Sequence, residues 1–221
     1  MTLRIDGGEP LSMTTVKSLI AVCEQAEDQA AKDEQGSEIL TVFVSGVPAE
    51  GWSAGIDVAL VTKWERALRR LERLPVATVA VANGDCGGPA LDAFLVTDIR
   101  VATEDTRLLV AREGSATWPG MAGYRLVQQA GAARTRRAVL FGAPIDARAA
   151  LSHGIVDELT DDPVVTASTA ADLLGGLSGK ELAIRRQLLF NATTTSFEDA
   201  LGSHLAACDR CLRQGAAKES V

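Results

Sequence analysis

The chain has 221 residues and a net charge of −7, and 47% of its residues are hydrophobic while only 4% are aromatic. An acidic protein is repelled by nucleic-acid phosphates, so we expect no nucleic-acid partner. No apolar run approaches the roughly 18 residues of a membrane span, so we expect no membrane partner, and we see no signal peptide. Four cysteines in a chain of this length do not make a disulfide framework, which fits a reduced, cytoplasmic protein.

Short, continuous apolar runs alternate with segments of helical periodicity through most of the chain. Strands are predicted at residues 2–6, 39–46, 76–84, 99–104, 107–110 and 155–159, and helices at 11–34, 58–73, 121–130, 133–141 and 146–153, with a short helix after Pro89. Continuous apolar strands separated by helices are typical of a parallel sheet covered on both faces, so we predict an α/β fold. Everything after Asp161 is predicted to be helical, and Ser-Phe-Glu-Asp at 196–199 has the pattern of a helix start.

A glycine-rich turn at 83–88 joins the third predicted strand to the short helix that contains Asp92. The first N–H groups of a helix have no partner within it, and the helix dipole adds positive potential there, so this turn is able to bind an anion. The phosphate-loop and dinucleotide-binding patterns are both absent. Two interpretations remain open: a site for the oxyanion that develops on a reacting carbonyl, or a tight turn without a ligand.

The order of several motifs resembles that of the enoyl-CoA hydratase (crotonase) superfamily. The motifs are Ser-Ala-Gly-Ile-Asp-Val at 53–58, Asn83-Gly84, Asp98-Ile99, Pro119-Gly120, Arg125-Leu126, a Leu-x-Gly-x-x-Ile piece at 140–145 and Gly-Ile-Val at 154–156. The resemblance covers most of the chain and implies a crotonase-like spiral of βαβ units with a C-terminal helical region that builds trimers. We therefore expect a thioester-binding core at 1–160, an oligomerisation region at 161–221, and a homo-oligomer that is a trimer or a dimer of trimers.

The resemblance implies that the chain activates an acyl-CoA thioester, with two backbone N–H groups holding the thioester oxygen. One donor would be Ile56, which follows Ala54 and Gly55. A gap-free match places the other at Pro89, which has no N–H. Either the second donor is lost, which typically costs about 10²–10³ in rate, or Gly88 supplies it. Proline is also structurally favourable at the start of a helix, so Pro89 by itself does not decide between these alternatives.

The resemblance also implies a pair of acids, both glutamates in the hydratases, that move protons during hydration or dehydration. Asp92 matches the first glutamate with one methylene fewer, and its alternative is a solvated or capping aspartate. Arg112 matches the second, with Glu113 next to it. Adjacent side chains of an extended segment face opposite ways, so Glu113 enters the site only through a local bulge. Arg112 either pairs with a carboxylate or phenolate of the substrate or lies on the surface.

The candidate site thus contains two predicted catalytic acids, Asp92 and Glu113, and the donors Ile56 and Gly88. Substrate contacts are predicted at Trp52, Ala54, Gly55, Pro89, Arg112 and Trp118. For the two tryptophans, core packing is the alternative. His204, Cys208 and Cys211 share one face of a predicted helix, but no fourth ligand is evident, so we expect no metal. We expect no cofactor beyond the CoA of the substrate.

The short chain, the altered acids and the compact composition resemble more narrowly the small hydratase-like proteins of glycopeptide antibiotic biosynthesis. Those accompany a type III polyketide synthase that makes 3,5-dihydroxyphenylacetyl-CoA on the route to dihydroxyphenylglycine. The resemblance implies a hydratase or dehydratase that acts on a polyketide-derived acyl-CoA, with the synthase as partner. The alternative is a non-catalytic partner that binds and stabilises the synthase or its thioester product.

Overall fold

The computed structural model of the chain describes residues 1–32, 38–162, 165–166 and 179–219. In chain order, the elements of these ranges are β1 (Thr2–Asp6), α1 (Met13–Lys32), β2 (Ile39–Gly46), α2 (Val58–Leu71), β3 (Ala77–Gly87), α3 (Pro89–Phe94), β4 (Ile99–Ala102), β5 (Arg107–Leu109), β6 (Arg112–Glu113), β7 (Ala116–Thr117), α4 (Met121–Ala130), α5 (Ala132–Phe141), β8 (Ile145–Asp146), α6 (Ala147–Ser152), β9 (Glu158–Leu159), α7 (Gly179–Asn191) and α8 (Phe197–Glu219).

The strands and helices predicted for the first 160 residues all occur, and the short strands β6, β7 and β8 are additional to them. The predicted helix at 146–153 begins one residue later, because Asp146 belongs to β8 and caps α6 by accepting a hydrogen bond from the N–H of Ala149 at 2.8 Å. The predicted end of the first helix at Glu34, and residues 167–178 of the predicted helical region, lie outside the described residues.

The main sheet is parallel, as predicted, and runs in the order β1-β2-β3-β4-β9. Strand β3 has 11 residues and serves two groups of neighbours: residues 77–82 pair with β2 and β4, whereas residues 85–87 pair with β5. The register of the β2–β3 pair shifts between these two parts, and such a shift bends a strand. The sheet therefore changes direction along β3, and β8 extends the second part as an antiparallel neighbour of β5.

Glycines allow the carboxyl ends of β1, β2 and β3 to approach one another very closely. A Cβ atom at Gly7 would lie 2.3 Å from the carbonyl oxygen of Gly87 and 2.4 Å from that of Gly46. Gly88, which follows β3, has a φ of +53°, and a Cβ there would lie 2.4 Å from Cγ of Pro48. Side chains at these positions would push the 47–57 loop away from the start of α3.

Helix α3 follows β3 directly and packs against β1, β2 and β3. Five of its six residues are buried, namely Pro89, Ala90, Leu91, Ala93 and Phe94. Proline at its first position has the φ that a helix needs, and its missing N–H would have had no partner within the helix. Asp92 is the one partly exposed residue of this helix, so the polar chemistry of α3 is confined to its side chain.

The described C-terminal residues form α7 and α8, as predicted for this region, and α8 starts at the predicted motif. The hydroxyl of Ser196 accepts a hydrogen bond from the N–H of Asp199 at 3.2 Å, which caps the helix. Large apolar side chains stay exposed along both helices: Leu189, Phe197, Leu201, Leu205 and Leu212. Within the described ranges, no helix combines the length and the apolar content that crossing a membrane requires.

A buried ion pair fastens α7 to the sheet. Nε and Nη2 of Arg186 donate to the two carboxylate oxygens of Asp98 at 2.8 and 2.6 Å. Arg186 also donates to the carbonyl oxygens of Leu74 and Val76, and the N–H and hydroxyl of Thr78 donate to Asp98 at 2.9 Å. Because both ions are satisfied on several sides, the pair holds α7 against the start of β3.

We expect Arg186→Ala to lower the free energy of unfolding by about 3 kcal/mol, because it leaves the partly buried carboxylate of Asp98 without its cation. Arg185→Ala is the matched control, since this neighbour forms an exposed ion pair with Glu181 on the same helix, which is typically worth about 1 kcal/mol or less. Urea unfolding of both variants makes the comparison. Equal losses would show that the buried pair does not fasten α7.

Candidate active site

A cavity of about 30 Å³ opens where the 47–57 loop, α2, the β3–α3 turn and the start of α4 meet. Six of the residues singled out from the sequence line it: Trp52, Ile56, Gly88, Pro89, Asp92 and Trp118. Most of the remaining wall is apolar and comes from Leu11, Val61, Trp64, Val110, Ala111 and Ala122. The cavity, called the Asp92 pocket below, has room for a water molecule or a small substrate group. Two carboxylates, those of Asp92 and Glu65, face it.

Asp92 is placed in this pocket by its position one turn into α3. Its Oδ2 accepts a hydrogen bond from the indole N–H of Trp64 at 3.1 Å, and its Oδ1 lies 4.0 Å from Nη1 of Arg125. Burial, and then the nearby charge of Glu65, raise the pKa of Asp92 to about 6, although the Trp64 hydrogen bond and the Arg125 charge act to lower it. A carboxyl group with this pKa exchanges its proton readily near neutral pH.

Two tryptophans form one wall of the Asp92 pocket. The rings of Trp52 and Trp118 meet edge to face, with centroids 5.2 Å apart. The indole N–H of Trp52 donates to the carbonyl oxygen of Arg112 at 2.8 Å, which fixes the 47–57 loop to β6. Trp118 lies so close to Gly120 that a Cβ on that glycine would be 2.7 Å from the indole ring. This wall is therefore aromatic and held in place from both sides.

Of the predicted oxyanion donors, Ile56 and Gly88 both line the pocket. The N–H of Ile56, however, donates to the carbonyl oxygen of Ser53 at 3.0 Å and so closes a turn within the loop. Ala54 and Gly55 lie on the exposed side of that turn and do not line the pocket. For the N–H of Ile56 to hold a thioester oxygen, the turn has to open, so the predicted two-donor site stays a prediction.

Arg112 and Glu113 form the exposed strand β6, and neither lines the pocket. The guanidinium of Arg112 donates to the carbonyl oxygens of Phe141 and Ser115 at 3.0 and 2.9 Å. Glu113 pairs with Ala116 across a tight β6–β7 hairpin. This regular pairing contains no bulge that would turn Glu113 inward. The structure therefore does not bring Glu113 to Asp92, and it directs Arg112 to backbone oxygens.

Sequence reasoning missed Glu65, Trp64 and Arg125, which surround Asp92. Glu65 and Trp64 come from α2, the helix predicted at 58–73 without any site residue. A signal was present, because Glu65 follows Val61 by four residues and precedes Leu68 by three, so it is an acid on the apolar face of an amphipathic helix. Among the described residues, no three His, Cys, Asp or Glu side chains are arranged to hold a metal ion.

Comparisons with known proteins agree with this architecture. The family model for enoyl-CoA hydratase/isomerase matches residues 11–220. A protein from Amycolatopsis orientalis named enoyl-CoA-hydratase is 53% identical over 216 residues, which are 98% of this chain and 97% of that protein.

Two crystal structures share the fold at low sequence identity. An enoyl-CoA hydratase from Shewanella pealeana has a TM-score of 0.74 and 21% identity over 94% of this chain and 79% of that one. An enoyl-CoA hydratase/isomerase from Marinobacter aquaeolei has a TM-score of 0.77 and 15% identity over 96% and 88% of the two chains. The crotonase-like form of the α/β fold is thereby confirmed, and the chain belongs to the enoyl-CoA hydratase/isomerase family.

Proposed function

We propose that this member of the enoyl-CoA hydratase/isomerase family is a dehydratase that acts on a polyketide-derived acyl-CoA thioester. It assists a type III polyketide synthase in forming 3,5-dihydroxyphenylacetyl-CoA. The observation that carries the proposal is Asp92, an acid with a pKa of about 6 that faces a mostly apolar pocket. No comparable group faces the pocket from the predicted second position at Arg112 and Glu113.

The proposed chemistry is loss of a hydroxyl group from the β-carbon of the thioester. Hydroxide is a poor leaving group, so an acid has to give it a proton as the C–O bond breaks. Asp92 is half protonated at about pH 6, and a positioned acid with a pKa near the working pH contributes about 10²–10⁴ in rate. When loss of water makes a ring aromatic, the reaction is strongly downhill, so a modest catalyst is sufficient.

The tryptophan wall supports a substrate whose acyl group is a planar ring. Trp52 and Trp118 present aromatic surface at the pocket, and rings pack against such surface by stacking or edge contacts. Apolar walls with a small number of polar groups are typical of sites for small organic ligands. A cyclised polyketide thioester would lay its planar ring against the tryptophans and place only the hydroxyl group that Asp92 would protonate in the small cavity.

A non-catalytic role is the second candidate, and two observations favour it. Pro89 has no N–H to offer a thioester oxygen, and the N–H of Ile56 is already bonded to Ser53. A family member without oxyanion donors would bind a thioester or the synthase without activating the thioester. The two candidates differ in whether proton transfer by Asp92 is needed.

We also propose that the chain is a homo-oligomer, trimeric at its base, with residues 161–221 as its oligomerisation region. The exposed apolar residues of α7 and α8 support this, because a contiguous apolar surface on a small domain marks an interaction site. Such an arrangement leaves the Asp92 pocket on the core of each subunit.

Asp92→Asn tests the dehydratase proposal, since asparagine keeps the size and polarity of the side chain but transfers no proton. We expect it to lower the rate at which a synthase supplemented with this protein forms its aromatic product by about 10²–10⁴. Asp85→Asn is the matched control, because Asp85 lies near the end of β3, forms an ion pair with Arg107 and does not line the pocket. If Asp92→Asn supports the synthase as well as wild type does, the result contradicts the dehydratase proposal and favours the non-catalytic role.

The raised pKa of Asp92 also predicts how stability depends on pH. The folded protein binds this proton more tightly than the unfolded chain, so the stability that the group contributes is fully present below about pH 4 and is lost as the pH rises through about 6. Asp92→Asn lacks this loss. Between about pH 4 and pH 8, the free energy of unfolding of wild type should therefore fall by about 3 kcal/mol relative to that of the variant. A pH-independent difference in urea unfolding would contradict the raised pKa.

The oligomer is tested by charging the exposed apolar surface of α8. We expect wild type to show the mass of a trimer or a hexamer in light scattering at micromolar concentration. Leu205→Glu should reduce that mass to a monomer, because Leu205 is 58% exposed in the isolated chain and burying a lone carboxylate in an interface is costly. A wild-type protein that is already monomeric would refute the proposed assembly.

A further inference from the structure

Glu65 lines the Asp92 pocket from a different helix than Asp92 does. It lies on α2, next to Trp64, whose indole N–H donates to Asp92. The side chains of Glu65 and Asp92 are 21% and 18% exposed, and that remaining exposure includes the pocket, which both residues line. The pocket therefore contains two carboxylates that come from different elements and approach the same small space.

Arg125 on α4 lies behind these two carboxylates and touches both sides of the pair. Its Nη2 donates to Oε2 of Glu65 at 2.6 Å, and its Nη1 lies 4.0 Å from Oδ1 of Asp92. Nη1 is buried and has no hydrogen-bond partner among the residues that the structure describes. A buried N–H without an acceptor is unfavourable, so a small movement of Asp92 that closes this gap would be stabilised, most of all when Asp92 is ionised.

One guanidinium between two carboxylates leaves the cluster with an excess negative charge when both acids are ionised. The charged and titratable groups around Asp92 are Glu65 on α2, Arg125 on α4 and the thiol of Cys86 on β3. Burial, and then the charge of Asp92, raise the pKa of Cys86, so that thiol stays neutral. The hydrogen-bonded ion pair with Arg125 orients the carboxylate of Glu65, whereas burial and the charge of Glu65 favour the protonated form of Asp92.

We propose that Glu65 is the second catalytic carboxylate of this site and acts as the base that removes the proton on the α-carbon of the thioester. The inference rests on the proposed dehydration. It assigns to α2 the role that the sequence resemblance places on the β6–β7 hairpin, where Glu113 points to solvent.

The reaction step balances with these two groups alone. The carboxylate of Glu65 takes the α-proton, and the electron pair of that C–H bond forms the double bond between the α- and β-carbons. The C–O bond at the β-carbon breaks, and the oxygen leaves as water with the proton of Asp92. Glu65 is then neutral and Asp92 ionised, and transfer of one proton from Glu65 to Asp92 through water restores the starting state.

Arg125 acts as the positioning residue for both acids. It orients Glu65 before the reaction, and its free Nη1 lies where it can receive the carboxylate of Asp92 that the reaction generates. The competing explanation is that Glu65 and Arg125 form only a structural ion pair that joins α2 to α4. A structural pair predicts lost stability on substitution but no effect on an isolated proton-transfer step.

Exchange of α-protons with D₂O isolates that step, because it needs the base but no leaving group. The probe is phenylacetyl-CoA, which has α-protons and a planar ring but no β-hydroxyl, and mass spectrometry follows deuterium uptake. We expect wild type to catalyse the exchange, and Glu65→Gln to slow it by about 10²–10⁴. Glutamine keeps an oxygen acceptor for Arg125, so the ion-pair contact is replaced by a neutral hydrogen bond.

Glu27→Gln is the matched control, because it makes the same change in a carboxylate that pairs with Arg70 and so joins α1 to α2 outside the pocket. It should exchange as wild type does, with a comparable change in melting temperature. If Glu65→Gln fails to fold, Glu65→Asp keeps the charge at shorter reach, and its exchange should fall below that of wild type.

The results distinguish this inference from the dehydratase proposal. The role of Glu65 is overturned if folded Glu65→Gln exchanges α-protons at the wild-type rate. Where that variant does not fold, the same result for Glu65→Asp overturns it. The absence of exchange by wild type overturns it as well. Equal support of the synthase by wild type and Asp92→Asn instead overturns dehydration through Asp92. In that case, exchange that depends on Glu65 still identifies Glu65 as a base facing the thioester.

Discussion

The close approach of three strand ends is the constraint on which the site depends. The carboxyl ends of β1, β2 and β3 come together with no room for a side chain at Gly7, and Gly88 adopts a positive φ against Pro48. This contact places the 47–57 loop over the start of α3. Asp92 and the tryptophan wall then face the same small cavity. Without that approach, the loop and the helix would belong to separate surfaces.

The second determinant is electrostatic, and it works against stability. Burying two carboxylates with one guanidinium is unfavourable compared with an apolar core of the same volume. This unfavourable burial appears as the raised pKa of Asp92, because this acid keeps its proton at a pH where an exposed aspartate is ionised. The pair between Arg186 and Asp98, in contrast, satisfies both of its ions with several hydrogen bonds. A strained polar cluster inside a well-satisfied fold is typical of a functional site.

Family membership and the local chemistry of this chain fit together through α2. The family fold supplies the turn and the short helix that direct Asp92 into the pocket. The hairpin that would supply a second acid by resemblance instead directs Arg112 to the carbonyl oxygens of Phe141 and Ser115. Glu65 enters the space from α2, because the ion pair with Arg125 draws it toward α4.

The sequence by itself determined the longer strands and helices of the first 160 residues, the parallel sheet and the family, and it placed Asp92 in a short helix after a glycine turn, because periodicity, turn glycines and motif order are local properties. Only the tertiary structure showed that Glu65 and Asp92 line one pocket, since these residues are far apart in sequence and no local pattern encodes the contacts of Trp64 with Asp92 and of Glu65 with Arg125. It also placed Glu113 on a regular exposed hairpin and engaged the N–H of Ile56 with Ser53. Register and hydrogen-bond partners depend on which surfaces meet, and that is fixed by packing of the whole chain.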